Sequence, residues 1–284
     1  MRWALILFLV AAVFAIPDAS PCLAHAKPSA DVSRGPDLVS EPDISDTTSE
    51  PSSAISDISA ADISDIAATG GASDVGVAVL DLETGQVVST QGDKPFYSAS
   101  LSKLILAVDA LQQQQLSADD QDLIHRALSA SDDNAMDVLW TRFDGMDAIG
   151  RVTTEAGLTG THAPDDPSQW GEVVITADDM VRLYHYVLGS SVRDAVVAAL
   201  SAAPATAADG FDQAFGLLGV TGAYAKQGWM YYLPNEVYLH SAGVLDNRYA
   251  VAVLTTNPTG NWTTARESID TVTRALLGRL TVQG

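Results

Sequence analysis

The β-prone segments of this chain fall in two groups, one on either side of a long helical block, and that order narrows the folds open to it. Residues 75–82 are apolar and β-prone, Glu83-Thr84-Gly85-Gln86 reads as a turn, and 87–90 return, which predicts a hairpin. Helical spacing of apolar residues then predicts helices over 100–113, 117–130, 134–142, 145–156, 176–188 and 191–202. Ser117 and Thr176 stand where N-caps are needed. Strands follow at 224–232, 236–245 and 249–256, with Asp246-Asn247-Arg248 as a turn, and an amphipathic helix over 261–280 closes the chain. A helical block interrupting the strands of one sheet predicts an α+β fold. Its expected core is an antiparallel five-stranded sheet flanked by helices, with an inserted helical lobe. A cleft between such lobes is a favoured place for a site.

What precedes the domain reads as an address and a spacer. Arg2 leads into an uncharged apolar run over 3–16, shorter than the roughly 20 residues a membrane span needs. Ala24-His25-Ala26 then presents small residues at a signal-peptidase site, so 1–26 reads as a cleaved secretory signal, with an uncleaved anchor as the alternative. Cys22, the single cysteine, follows Pro21 rather than the small residue a lipoprotein signal places there, and cleavage after Ala26 removes it. Residues 27–51, rich in Pro, Ser, Asp and Glu, read as a disordered tether. In 52–71, Ile55, Ile58, Ile63 and Ile66 share one side of a helical wheel, which fits either a first helix and linker or more tether. The domain is expected over 72–284, in a secreted or cell-envelope protein. The formal charge of -21 argues against nucleic acid and anionic membrane surfaces as partners. A small-molecule or peptide substrate, a monomer, and no stable membrane span after signal cleavage are the expectations.

Three short motifs carry chemistry. In Ser100-Leu101-Ser102-Lys103 the helical i, i+3 spacing sets the amine one turn from the hydroxyl, and a serine hydroxyl needs a nearby base to become a nucleophile. Of the four lysines (Lys27, Lys94, Lys103 and Lys226), only Lys103 has a serine three residues earlier. A capped surface helix would give the same letters, but here the remainder of the helix is apolar, and a buried helix start rarely carries a lysine. Ser131-Asp132-Asp133-Asn134 opens the helix at 134–142 and fits a plain N-cap cluster as well as a site. Lys226-Gln227-Gly228-Trp229 lies on a strand, where glycine lets a ligand approach the backbone, and a solvated edge lysine is the bland alternative.

Taken together and in this order, the three motifs resemble those of class A β-lactamases and penicillin-binding proteins. Phe96-Tyr97-Ser98-Ala99 ahead of Ser100, and the hairpin before it, are similar to the same family, and the resemblance covers about 72–280. It implies that Ser100 is acylated, that Lys103 activates it or holds its proton, that Ser131 relays a proton to the leaving nitrogen, and that Lys226 tunes Ser131 and attracts a substrate carboxylate. It also implies an oxyanion hole from the N–H groups of Ser100 and Trp229, with Asp133, Gln227, Gly228 and Trp229 against the substrate. A register shifted by one would put Asp132 and Asn134 in place of Ser131 and Asp133.

The departures bear on activity. Asp133 stands where the family has an asparagine, Gln227 where it has Thr or Ser, and the short span from Ser100 to Ser131 implies a reduced helical lobe. The family's deacylating glutamate has no clear counterpart; Asp165 and Asp166 are the acids on the corresponding loop, with Glu172 too near the next helix. Gly-x-Ser-x-Gly, His-Glu-x-x-His and phosphate-loop motifs are absent, so no metal and no cofactor is expected. The expected activity is that of a β-lactamase-like serine hydrolase. It would form a covalent acyl-enzyme on an amide or ester, β-lactam or cell-wall peptide-like, with slow deacylation. A D,D-peptidase or esterase is the neighbouring reading, and a catalytically weak penicillin- or wall-peptide-binding protein the one from another class.

Overall fold

Alternation along the strands decides the architecture. The computed structural model describes residues 55, 58–113, 115–232, 236–258 and 261–281. The leader expected at 1–26 and the tether expected at 27–51 lie outside them. Strand β1 (Asp74–Asp81) sends Val75, Val77 and Val79 to one face and Ala78 and Leu80 to the other, and all five are buried. β7 (Tyr249–Asn257) repeats the pattern, with Val251 and Val253 opposite Ala250, Ala252 and Leu254. A strand apolar on both faces must be covered on both, and helices do so here.

The sheet runs β2-β1-β7-β6-β5, antiparallel throughout, with β2 at Val87–Thr90, β5 at Ala223–Tyr232 and β6 at Glu236–Leu245. One face packs on α1 (Ala60–Ala68) and α8 (Trp262–Thr281) through Ile63, Ile66, Ile269, Val272 and Leu276. Within 52–68, the described residues show a helix over Ala60–Ala68, where Ser59 and Asp62 close a capping box, with Ile55 and Ile58 buried ahead of it. The other face packs on the helical block: α2 (Ser102–Gln112), α3 (Ala118–Ser129), α4 (Asp133–Arg142), α5 (Gly145–Ala156), α6 (Ala177–Leu188) and α7 (Arg193–Ser201). This is the α+β fold with an inserted helical lobe that the order of elements predicts.

Two local features differ from expectation, and a third is added by the structure. A two-stranded sheet of β3 (Phe96–Tyr97) and β4 (Val174–Ile175) leads into the first motif; two residues each are too few for a periodic signal. The helix expected from Ser100 begins as a tight 3₁₀ turn at Ala99–Leu101, and α-helical bonding starts at Ser102. The long loop between α5 and α6 is held by one buried carboxylate. Asp179 accepts from the Thr159 and Gly160 N–H groups (3.2 and 2.8 Å), from Thr161 Oγ1 (2.8 Å) and from Arg182 (3.0 Å).

Candidate active site

The first motif sits where the helical lobe meets the edge strand of the sheet. Ser100 lies in the 3₁₀ turn, and Ala99 just before it takes a left-handed backbone (φ 47°) that turns the chain off β3. Lys103, on the first turn of α2, points back along the helix and donates to Ser100 Oγ at 2.6 Å. The close contact with β5 requires Gly228: a Cβ there would lie 2.9 Å from the Ser98 carbonyl.

The second motif arrives by another strained backbone. Ser131 has φ 54° and is buried, and its Oγ accepts from Lys226 Nζ at 2.7 Å. Asp132 caps α4 through the Ala135 N–H, leaving Asp133, next in sequence, to face the cleft. Asp133 Oδ1 accepts from Lys103 Nζ at 2.6 Å, while its side chain stays 58% exposed. The structure thus brings Ser131 and Asp133, not Asp132 and Asn134, to the two lysines.

The third motif supplies the other wall. β5 is an edge strand, yet Lys226 is only 1% exposed because the open edge faces the helical lobe. Its ammonium also donates to the Gln227 carbonyl at 2.8 Å, so that carbonyl faces the cleft and not β6. Residues two apart on a strand present their backbone groups to the same side, so the Trp229 N–H faces the cleft as well. The Gln227 side chain goes elsewhere: it is buried, donates to the Phe215 carbonyl, and is not among the cleft-lining residues.

A cleft of about 260 Å³ opens over Ser100, walled by Asp133, Trp170, Gly171, Trp229 and Met230 and rimmed by Ser168 and Gln169. Burial pushes the Lys103 amine below its ordinary pKa, with Asp133 pulling the other way. Burial also drives Lys226 well below the usual lysine range, and the charge of Lys103 adds to that. Both amines can therefore shed a proton more readily than a solvated lysine.

A sequence profile of the beta-lactamase enzyme family matches residues 58–120 and 113–280. This chain belongs to that family. It is 32% identical over 218 residues to the proteins named "Putative lipoprotein LppW" of Mycobacterium bovis and Mycobacterium tuberculosis, covering 70% of this chain and 68% of theirs. Among solved structures, a beta-lactamase from Chitinophaga pinensis superposes with a TM-score of 0.62 at 16% identity, over 76% of this chain and 97% of that one. A class A beta-lactamase from Mycobacterium abscessus gives 0.60 at 17%, over 78% and 98%. At such identities these likenesses speak for the fold.

Several residues of this family member escape sequence reasoning. Neither Asp165 nor Asp166 lines the cleft; Asp166 accepts from the Ser168 N–H and Oγ, which holds its carboxyl below the ordinary range. The loop instead offers Trp170, whose ring lies 4.2 Å from Lys103 Nζ and whose Nε1 donates to Asp137 at 2.8 Å. Trp229 donates to Asp209 at 3.0 Å and stacks on Phe211, centroids 4.8 Å apart. His240, fully buried, accepts from the Thr255 N–H at Nδ1 (3.2 Å) and so carries its proton on Nε2, which meets the Tyr97 carbonyl at 2.9 Å. It thereby holds the strand that runs into the Ser100 turn. Among the described residues no His, Cys, Asp or Glu cluster is placed to hold a metal ion, and no helix is long and apolar enough to cross a membrane.

Proposed function

We propose that this protein is an extracytoplasmic serine hydrolase that opens amides or esters through an acyl-enzyme on Ser100. The observation that carries the reading is the pair of contacts Lys103 Nζ to Ser100 Oγ (2.6 Å) and Lys226 Nζ to Ser131 Oγ (2.7 Å) at one cleft. Lys103, neutral, takes the Ser100 proton as Oγ bonds to the substrate carbonyl carbon. The oxyanion forms against the N–H groups of Ser100 and Trp229. As the intermediate collapses, the bond to the leaving nitrogen or oxygen breaks. Ser131, held by Lys226, passes that atom a proton, and the proton on Lys103 replaces it. Release of the acyl group needs a base that aims a water. With neither Asp165 nor Asp166 lining the cleft, deacylation is the slow stage and the adduct accumulates. The apolar leader and the relatives named as lipoproteins support placement at the cell envelope.

That neither Asp165 nor Asp166 lines the cleft also supports a second reading, a penicillin- or wall-peptide-binding protein with little turnover. A fluorophosphonate probe followed by peptide mapping tests the nucleophile that both share. One adduct on the Ser100 peptide, lost in Ser100→Ala, is expected; labelling that survives Ser100→Ala refutes the assignment. The rate at which the mass of a penicillin adduct decays then separates turnover from binding.

A further inference from the structure

We infer that this cleft selects acyl donors that carry no carboxylate beside the scissile bond, with Asp133 as the specificity-determining residue. The inference rests on the Ser100 reading above and narrows its substrate class.

Charges and hydrogen-bond donors are unevenly placed around Ser100. Lys226 is the cation that would be expected to attract a substrate carboxylate. It is 1% exposed, and two of its three N–H donors are engaged, by Ser131 Oγ and by the Gln227 carbonyl. Lys103 is committed to Ser100 and Asp133. Gln227 turns its amide to Phe215, so the strand presents no side-chain donor at that point. Among the described residues no arginine lines the cleft.

The negative charges are the accessible ones. Asp133 presents a carboxylate, 58% exposed, on the cleft wall. Asp209, exposed beside Trp229, is near enough for its charge to act on both lysines. The whole chain, at -21, repels anions at longer range. The remaining surface is apolar or neutral: Trp170, Trp229, Met230, Ala99, Gly171, Ser168 and Gln169. A neutral ester or amide with an apolar or aromatic acyl group meets matching walls there. An anionic one meets the like charges of Asp133 and Asp209 and, among the described residues, no cation free to pair with it.

The test uses matched pairs in which only the charge changes: benzylpenicillin with its methyl ester, and p-nitrophenyl hemisuccinate with p-nitrophenyl butyrate. Acylation of the full-length protein is followed by intact mass and by nitrophenol release, with fluorophosphonate labelling of Ser100 as an independent check on the nucleophile. The neutral member of each pair should acylate about tenfold faster or more. The gap should narrow in Asp133→Asn and at high salt. Equal rates, or faster acylation by the free acids, overturn the inference while leaving the Ser100 reading intact. Fluorophosphonate labelling with no reaction from any of the four compounds also overturns it. No labelling at all overturns both.

Discussion

Replacing Lys103 by methionine separates what this residue does for chemistry from what it does for folding. Its side chain is wholly inaccessible, and burial alone pushes its pKa down, so the folded state bears a cost for the ammonium. Desolvating such an ion costs several kcal/mol, and the charged hydrogen bonds to Ser100 and Asp133 return about 1.5–3 kcal/mol each. The two sides nearly cancel. Methionine fills a similar volume, and the partners it abandons can hydrate, because Asp133 is 58% exposed and Ser100 lines the cleft. Stability should therefore stay within about 1 kcal/mol or rise, which for a domain of this size is about 2–4 °C per kcal/mol. Acylation should fall by about 10²–10⁴, the usual effect of losing a positioned base. Burst kinetics with a chromogenic ester, alongside thermal unfolding, give both readings. The wild-type rate should climb with pH along a limb set by Lys103, at lower pH than a solvated lysine would give, and Lys103→Met should lose that limb. Acylation within threefold of wild type would show that Lys103 is not the base, and a midpoint lower by many degrees would show that the buried ammonium stabilises the fold.

Two further outcomes follow from the frame around the site. Burial lowers the pKa of His240 to about 4 from 6.5, so the stability it confers is full above about pH 6.5 and is lost as pH falls toward 4, about 3 kcal/mol in all. Chemical denaturation at several pH values should show His240→Gln less stable at pH 7 but less sensitive across that window; identical pH slopes for the two proteins would contradict it. Gly228→Ala puts a methyl 2.9 Å from the Ser98 carbonyl and should displace the Ser100 turn. Acylation should drop about tenfold or more, with a lowered unfolding midpoint because the clashing atom is backbone, and an unaltered rate would show that the turn yields freely.

The sheet and the helices of the lobe were legible because they are periodic. Val75, Val77 and Val79 alternate, and Leu104, Ile105 and Val108 recur at helical spacing, so burial writes itself into the sequence. The closeness of Ser100 and Lys103 was legible for the same reason, being one helical turn. What lay hidden depends on contacts between distant segments that leave no period. Trp170 reaches Lys103 because Asp179 gathers the loop and because two indoles, Trp140 to the Pro167 carbonyl (2.8 Å) and Trp170 to Asp137, fasten it to α4. Gln227 reads as a cleft residue from its neighbours, yet the Phe215 carbonyl draws its amide away. The left-handed backbone at Ala99 and Ser131 had no glycine to mark it. The choice between Ser131 with Asp133 and Asp132 with Asn134 turned on which side chain was spent as the α4 cap.

Asp133 is lightly tied into the protein. Its side chain bonds Lys103 and nothing else among the described residues, and more than half of it meets solvent. Asparagine there keeps a carbonyl oxygen that can accept from Lys103, so the exchange gives up the charge of one bond and leaves the apolar packing untouched. Aspartate and asparagine codons differ by a single base. The residue inferred to set the sign of the charge at the mouth of this cleft can therefore be exchanged in one nucleotide step with the fold left standing. Under that inference, substrate preference answers to one codon, while the helices and sheet answer to packing contacts spread over the whole domain.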